Sequence, residues 1–227
     1  MRHRGAFDTS KLFKNLENLK KSVYDAIFLI KRGYKKDSVI DFVSNHYQLY
    51  SIQRDALYKA ATIKYKRGVR SIKNKKVYID GFNILITAET ALAKSIIIKC
   101  YDGCYRDLSS VYGNYRFVFE TDEAIKFLFN ALKVLETEEA IFVFDKKVSN
   151  SIKLSNKIQD LAKKENLNIK AVAIDKVDRF LKNQKDIVIT CDSAIIKDCK
   201  KWFNISSFLY EKLYKSAKIL DLSLKGG

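Results

Sequence analysis

The chain has no proline and only two histidines, His3 and His46. Without proline, element boundaries have to be read from the eight glycines, from charge and from hydrophobic periodicity. The shortage of histidine argues against zinc: Cys100 and Cys104 are four apart, but no second Cys or His pair has matching spacing. Long hydrophobic runs are also missing. The opening MRHRGAFDTSKLF has no signal-peptide core, and no stretch approaches the roughly 18–20 apolar residues that cross a bilayer. A cytoplasmic location is expected, so the four scattered cysteines read as structural thiols and not as a disulfide framework.

Acidic residues are in deficit, with 26 Asp and Glu against 43 Lys and Arg, a net charge of +17. The resulting field favours a polyanion, with nucleic acid ahead of an anionic membrane. Lys-rich composition alone also produces basic proteins with no such partner. With 47% hydrophobic and 12% aromatic residues, the 227-residue chain can bury a core for one large domain or two small ones.

The first 70 residues read as a small helical bundle. Leu12, Leu16, Leu19, Val23, Ile27 and Ile30 recur at three- and four-residue steps and predict one helix from Ser10 to about Gly33. A second, capped by Asp37 or Ser38, should bury Val39, Phe42, Val43 and Tyr47, and a third should run from Ile52 to about Arg67. The run KYKRGVRSIKNKK, residues 64–76, carries seven basic residues and no acid. It reads as a solvated junction and a strip that could track phosphates. The boundary is placed near Ser71, giving a helical region over 1–70 and an α/β domain over 71–227.

Beyond it, KVYID, AIFVFD, IKAVAID and DIVITCD are short, apolar and rich in β-branched or aromatic residues, as strands buried on both faces are. They alternate with helix-like stretches, which predicts a parallel sheet covered by helices on both sides. A strand at about Phe203–Ile205 and a helix over Ser207–Ala217 complete a five-stranded unit. Residues 93–120 interrupt the alternation and read as a hairpin excursion or a lid.

All four strands end in aspartate: Asp80, Asp145, Asp175 and Asp192. In an open parallel sheet the carboxyl ends of the strands share one rim, where ligands bind. Carboxylates gathered there repel one another and suit a hard divalent cation, Mg²⁺ or Mn²⁺, better than zinc. Each also has an ordinary reading as a helix cap. Asp80 is the least cap-like, because the glycine after it permits close backbone approach and Asn83 can orient its carboxylate. Glu89, two and a half turns along the following helix, and Asp107, in the excursion, are further candidate acids, with Asp102 and Asp198 weaker ones. Arg106, Arg116, Lys146 and Lys147 are expected beside the rim to grip phosphate. Ser149, Asn150 and Ser151 open a helix whose free N–H groups could receive one, with a simple cap as the plainer role. Tyr101, Tyr105, Tyr112 and Tyr115 are candidates for base stacking or for packing.

At these residues the chain resembles a PIN-like nuclease domain, a group related in fold to the flap endonucleases. The resemblance rests on DGFN at Asp80 and on Thr190-x-Asp192. With RHRG at Arg2–Gly5, DG-x-x-RD at Asp102–Asp107, D-x-x-VSNS at Asp145–Ser151 and CDSAIIKD at Cys191–Asp198, the chain resembles a mainly archaeal family that joins a helical N-terminal region to such a domain. The resemblance implies a PIN-like three-layer fold and a metal held by Asp80, Asp145 and Asp192. Glu89 would stand in for the family's second acid, and no helical acid cluster of the flap-endonuclease kind is present.

The expected function is therefore a Mg²⁺- or Mn²⁺-dependent nuclease, with RNA preferred over DNA as partner, no membrane, and a homo-oligomer left open. Asp80, Asp145 and Asp192 would carry it, supported by Glu89 or Asp107. The alternative is an inactive PIN-like RNA-binding module. Phosphohydrolysis of the haloacid-dehalogenase type is disfavoured because position 82 is Phe where a second acid is needed, and a dinucleotide site lacks its glycine spacing.

Overall fold

The computed structural model describes residues 2–5, 8–64, 68–109 and 113–224. Its centre is an all-parallel sheet of five strands: β1 (Lys76–Asp80), β4 (Glu139–Asp145), β5 (Ile169–Ile174), β6 (Ile187–Ile189) and β7 (Lys201–Phe203). Their spatial order is β5-β4-β1-β6-β7, so β1 lies in the middle with β4 and β6 as neighbours. Helices α4 (Gly81–Leu92), α5 (Thr121–Val134), α6 (Ser151–Lys164), α7 (Val177–Lys182) and α8 (Ser193–Asp198) make the connections. Val77, Ile79, Phe142, Phe144, Val188 and Ile189 are buried in the sheet core together with Leu85, Leu128 and Leu154 from the helices. The alternation expected from sequence is observed, because strands covered on both faces need the near-continuous apolar runs found there.

The excursion is a hairpin, with β2 (Ile96–Lys99) antiparallel to β3 (Tyr105–Asp107). It is extended by β8 (Lys218–Asp221), which pairs parallel to β2 and was not anticipated. The last helical segment is shorter than expected, a brief α9 (Ile205–Ser207) followed by a π-helical turn over Phe208–Leu213. One face of the small sheet carries the N-terminal helices α1 (Leu16–Lys31), α2 (Lys36–His46) and α3 (Ser51–Ala60). Leu19, Val23, Val39, Val43 and Leu57 form a second core with Ile96, Ile98 and Leu220.

Several details of the N-terminal region correct the sequence expectations. The first helix starts at Leu16, because Ser10–Phe13 is a separate 3₁₀ turn and Asn15 breaks the path at φ +49°. The second starts at Lys36, so Asp37 and Ser38 lie inside its first turn and do not cap it. Phe42 is 67% exposed, and Ile40 takes the inward position. The third helix ends at Ala60, well before Arg67. Of the basic junction, Lys66 and Arg67 lie outside the described residues, as does Tyr112.

The RHRG motif serves the fold. Arg4 is buried, pairs with Glu89 at 2.7 Å, donates to the Arg116 carbonyl at 2.9 Å and lies over the Tyr115 ring. His3 and the Arg4 backbone N–H both reach Glu120. Gly5, at φ +69°, lies close against Ser95, where a side chain would be strained. The segment thus ties the chain start to α4 and α5. Among the described residues no helix is long and apolar enough to cross a membrane.

Candidate functional site

Asp80, Asp145 and Asp192 lie along the carboxyl rim of the sheet, on or just past the three central strands. Register places Asp80 level with Val143, so Asp145 is two residues further along β4 on the same face. β6 ends at Ile189, and the chain continues through Thr190 and Cys191 to Asp192. Thr190 joins the two sides: its hydroxyl donates to Asp80 Oδ2 at 2.8 Å and accepts the Asp192 N–H at 3.0 Å. Asn83 Oδ1 accepts the Cys191 N–H at 2.9 Å, so the amide of DGFN aligns the Thr-Cys-Asp segment and does not touch the Asp80 carboxylate directly. Gly81 is required by packing, since a Cβ there would overlap the Phe144 ring. The local sequence thereby draws β1, α4 and the β6 exit into one unit.

The capping alternative can be judged residue by residue. Asp192 is a cap, accepting from the Ala194 N–H at 2.7 Å. Asp145 accepts the Lys147 N–H at 2.8 Å in a turn, while Asn150, at φ +61°, holds the N-cap position of α6. Asp175 is exposed one residue past β5, and Lys176 takes the cap position of α7. Asp80 is at the cap position of α4 without making a side-chain capping bond.

Electrostatics distinguishes Asp80 from the rest. Burial pushes its carboxyl up to about 7, the Thr190 hydroxyl opposes this, and the negative charges of Asp192 and Asp178 reinforce it, with a weaker opposing pull from the Asn83 N–H. Asp178, in the first turn of α7, is itself raised by partial desolvation, then by Asp192 and Asp145. Among the described residues Asp80 forms no ion pair, although the chain carries a large excess of cations. Sequence reasoning missed Asp178; its only signal was KVDRF, with an acid three residues after Asp175 where a short helix begins.

Other expected members are placed elsewhere. Glu89 is fully buried, and its oxygens are taken by Arg4, by Tyr115 Oη at 2.6 Å and by Thr121 Oγ1 at 2.6 Å. Asp107 is buried, accepts from Thr87 Oγ1 at 3.0 Å and from the Ser109 N–H at 2.7 Å, and is raised by burial against the pull of Lys59. Arg106 is buried in a two-point pair with Asp102, at 2.9 and 2.6 Å, and donates to the Cys191 carbonyl. Its guanidinium is largely committed inside the protein, which leaves little of the fork for phosphate. Arg116, Lys146 and Lys147 are exposed. Ser149 and Asn150 bind the Tyr115 carbonyl, and Ser151 is buried, so VSNS clasps the excursion. Tyr105 and Tyr115 are buried and donate to Glu211 and Glu89, which settles them as packing residues. Tyr101 accepts from Lys31.

Whether the rim suits a divalent ion turns on the donor set. Among the described residues, no group of three His, Cys, Asp or Glu side chains is placed to hold a metal. The three-carboxylate set Asp80, Asp145 and Asp192 is therefore not preassembled. Asp80 and Asp192, linked through Thr190 from the Asp80 carboxylate to the Asp192 backbone N–H, make an oxygen-only setting in which Asp80 has no ion pair among the described residues. This still fits Mg²⁺, which is characteristically held by one or two carboxylates plus water and phosphate oxygens.

Beside this rim, between α2–α3 and the sheet edge, lies a cavity of about 420 Å³. Its walls include Lys36, Tyr58 and Lys59 on one side and Asn83, Asp107 and Asp192 on the other. The lysines gave no signal in the sequence, because nothing in it told how the helices dock.

Comparison with known proteins gives two matches to domains of unknown function: DUF434 over residues 18–73 and DUF5616 over residues 69–208. An uncharacterized protein of Methanocaldococcus jannaschii is 36% identical over 189 residues, covering 79% of this chain and 89% of its own. No solved structure matches at a significant level. With more than half of its length matched, the chain belongs to the DUF5616 family.

Proposed function

We propose that the protein is a metal-dependent nuclease of PIN-like type that hydrolyses phosphodiester bonds in RNA at the Asp80 rim. The observation that carries this reading is Asp80 itself, a half-buried carboxylate with other acids near it and no ion pair among the described residues. Such a carboxylate is relieved either by keeping its proton or by a cation that arrives from outside. Asp80 and Asp192 would hold Mg²⁺ or Mn²⁺, with Asp145 and Asp178 adding to the negative field. The bound ion would activate water and neutralise charge developing on the phosphodiester. Thr190 keeps one Asp80 oxygen oriented, and Asn83 holds the Cys191 backbone so that Asp192 stays at the rim. The net charge of +17 supports a polyanionic substrate.

The test is cleavage of generic single-stranded RNA in Mn²⁺. Cleavage that is abolished by EDTA and by Asp80→Asn supports the reading, and cleavage that survives both removes it. A second reading is favoured by the absence, among the described residues, of a ready three-ligand group: an RNA-binding module without catalysis. Salt-sensitive binding that is indifferent to metal, with no cleavage products, would establish that instead.

A further inference from the structure

Lys36, Lys59 and Tyr58 come from the N-terminal helices, yet they line the same cavity as Asn83, Asp107 and Asp192 from the sheet. The cavity therefore has two lysines on its helical wall, facing Asp107, Asp192 and the Asp102-paired Arg106 on the sheet side. Its volume, about 420 Å³, lies in the range of roughly 300–1,000 Å³ that small-ligand sites occupy, enough for one nucleotide unit. Neither lysine forms an ion pair among the described residues. Lys36 is pushed down to about 8 by burial and then by Arg106, with Cys100 and Asp102 opposing and Lys59 adding a smaller downward pull. Asp107 feels Lys59 across the cavity but remains above its ordinary range. Two partly buried lysines with no ion pair among the described residues would gain from a phosphate that entered between them. Beside them Tyr58 is 44% exposed, with the Lys36 ammonium 4.4 Å from its ring centre. A phosphate held by two lysines with an aromatic ring alongside is the arrangement that grips one unit of a single strand, since a base can stack only once it has left a duplex.

We propose that this cavity is the strand-binding half of the active site, in which Lys36 and Lys59 hold a phosphate of single-stranded RNA and Tyr58 stacks the attached base. The proposal rests on the nuclease reading and narrows its substrate to unpaired strands. It also makes the N-terminal helices part of the site and not a mere cover for the sheet.

The test uses the full chain carrying Asp80→Asn, so that nothing is cut, and a short fluorescein-labelled single-stranded RNA followed by anisotropy. Lys36→Gln with Lys59→Gln should weaken binding tenfold or more and reduce the salt slope by about 0.7, the value for one lost phosphate contact on a single strand. The control is Lys163→Gln with Lys164→Gln, an equal charge loss at the exposed far end of α6, which should change binding less than twofold. Lys36→Arg with Lys59→Arg should restore most of the affinity, and Tyr58→Ala should weaken the single strand severalfold while leaving a perfect duplex unaffected. Equal effects of the two lysine pairs, or no effect of the first, overturn the proposal. If the first pair has no effect while the unmodified protein still cuts RNA in Mn²⁺, the cavity assignment alone falls. If the pair weakens binding but the unmodified protein cuts nothing, the grip stands and the nuclease reading falls.

Discussion

Asp80 and Glu89 belong to one helix, at its cap and in its third turn, the first half-buried and the second fully buried, and desolvation raises both. Their surroundings differ completely. Glu89 is raised by burial, but Arg4 pulls it back, and Thr121 and Tyr115 donate to it. Asp80 has the Thr190 hydroxyl, the Asn83 N–H and further acids. Where the chain supplies the countercharge, the acid is a structural tie. Where it supplies only more negative charge, the position suits a cation from solution. The same contrast separates Arg106, already paired with Asp102, from Lys36 and Lys59, which are not.

The comparison is broken most directly by neutralising each acid. Asp80→Asn should reduce RNA cleavage in Mn²⁺ by about a hundredfold or more, because the ion loses its central ligand. The same change should leave the folded state at least as stable in EDTA at pH 8, as it removes a repelled charge. Glu89→Gln should do the reverse: unfolding monitored in denaturant should show a loss of about 3–5 kcal/mol, since Arg4 is left buried without its partner. A result in which Asp80→Asn destabilises more than Glu89→Gln would erase the distinction.

pH sharpens it further. Asp80 holds its proton more tightly in the folded chain than in the unfolded one, so its favourable contribution is complete below its ordinary 3.8 and is lost as pH rises through about 7. In EDTA the melting temperature should therefore fall between about pH 4 and pH 7, and Asp80→Asn should flatten that decline. Mn²⁺ should recover stability in the upper part of this window, by about 1.4 kcal/mol at ten times its dissociation constant, and only when Asp80 is present. The smallest effects concern the support around Asp80. Gly81→Ala should lose about 1–3 kcal/mol in a denaturant titration as Phe144 is displaced. Asn83→Ala should lose about 1 kcal/mol with the Cys191 hydrogen bond.

The parallel sheet was legible because its strands are short apolar runs, two of them ending in aspartate and two followed by one within three residues, and helical periodicity fills the gaps between them. The rim followed from topology alone, as strands of one direction must share an edge. What was not legible depended on contacts between segments far apart in the chain. Glu89 and Arg106 read as site residues until their partners, Arg4 and Asp102, were seen to satisfy them. Phe42 fitted the helical period, but Ile40 won the inward place, because the direction in which a helix docks is set by its neighbours. β8 is four residues after a π-helical turn, and its pairing with β2 leaves no local pattern. Asp178 was overlooked because it follows a strand-end acid that drew attention to itself.

The central claim is that Asp80 awaits a cation shared with Asp192. Diffraction from crystals soaked in Mn²⁺, recorded where manganese scatters anomalously, tests it directly. A peak within bonding distance of Asp80 and Asp192 is the expected result. A rim left without a peak at saturating Mn²⁺, with the Thr190 bridge intact, would contradict it.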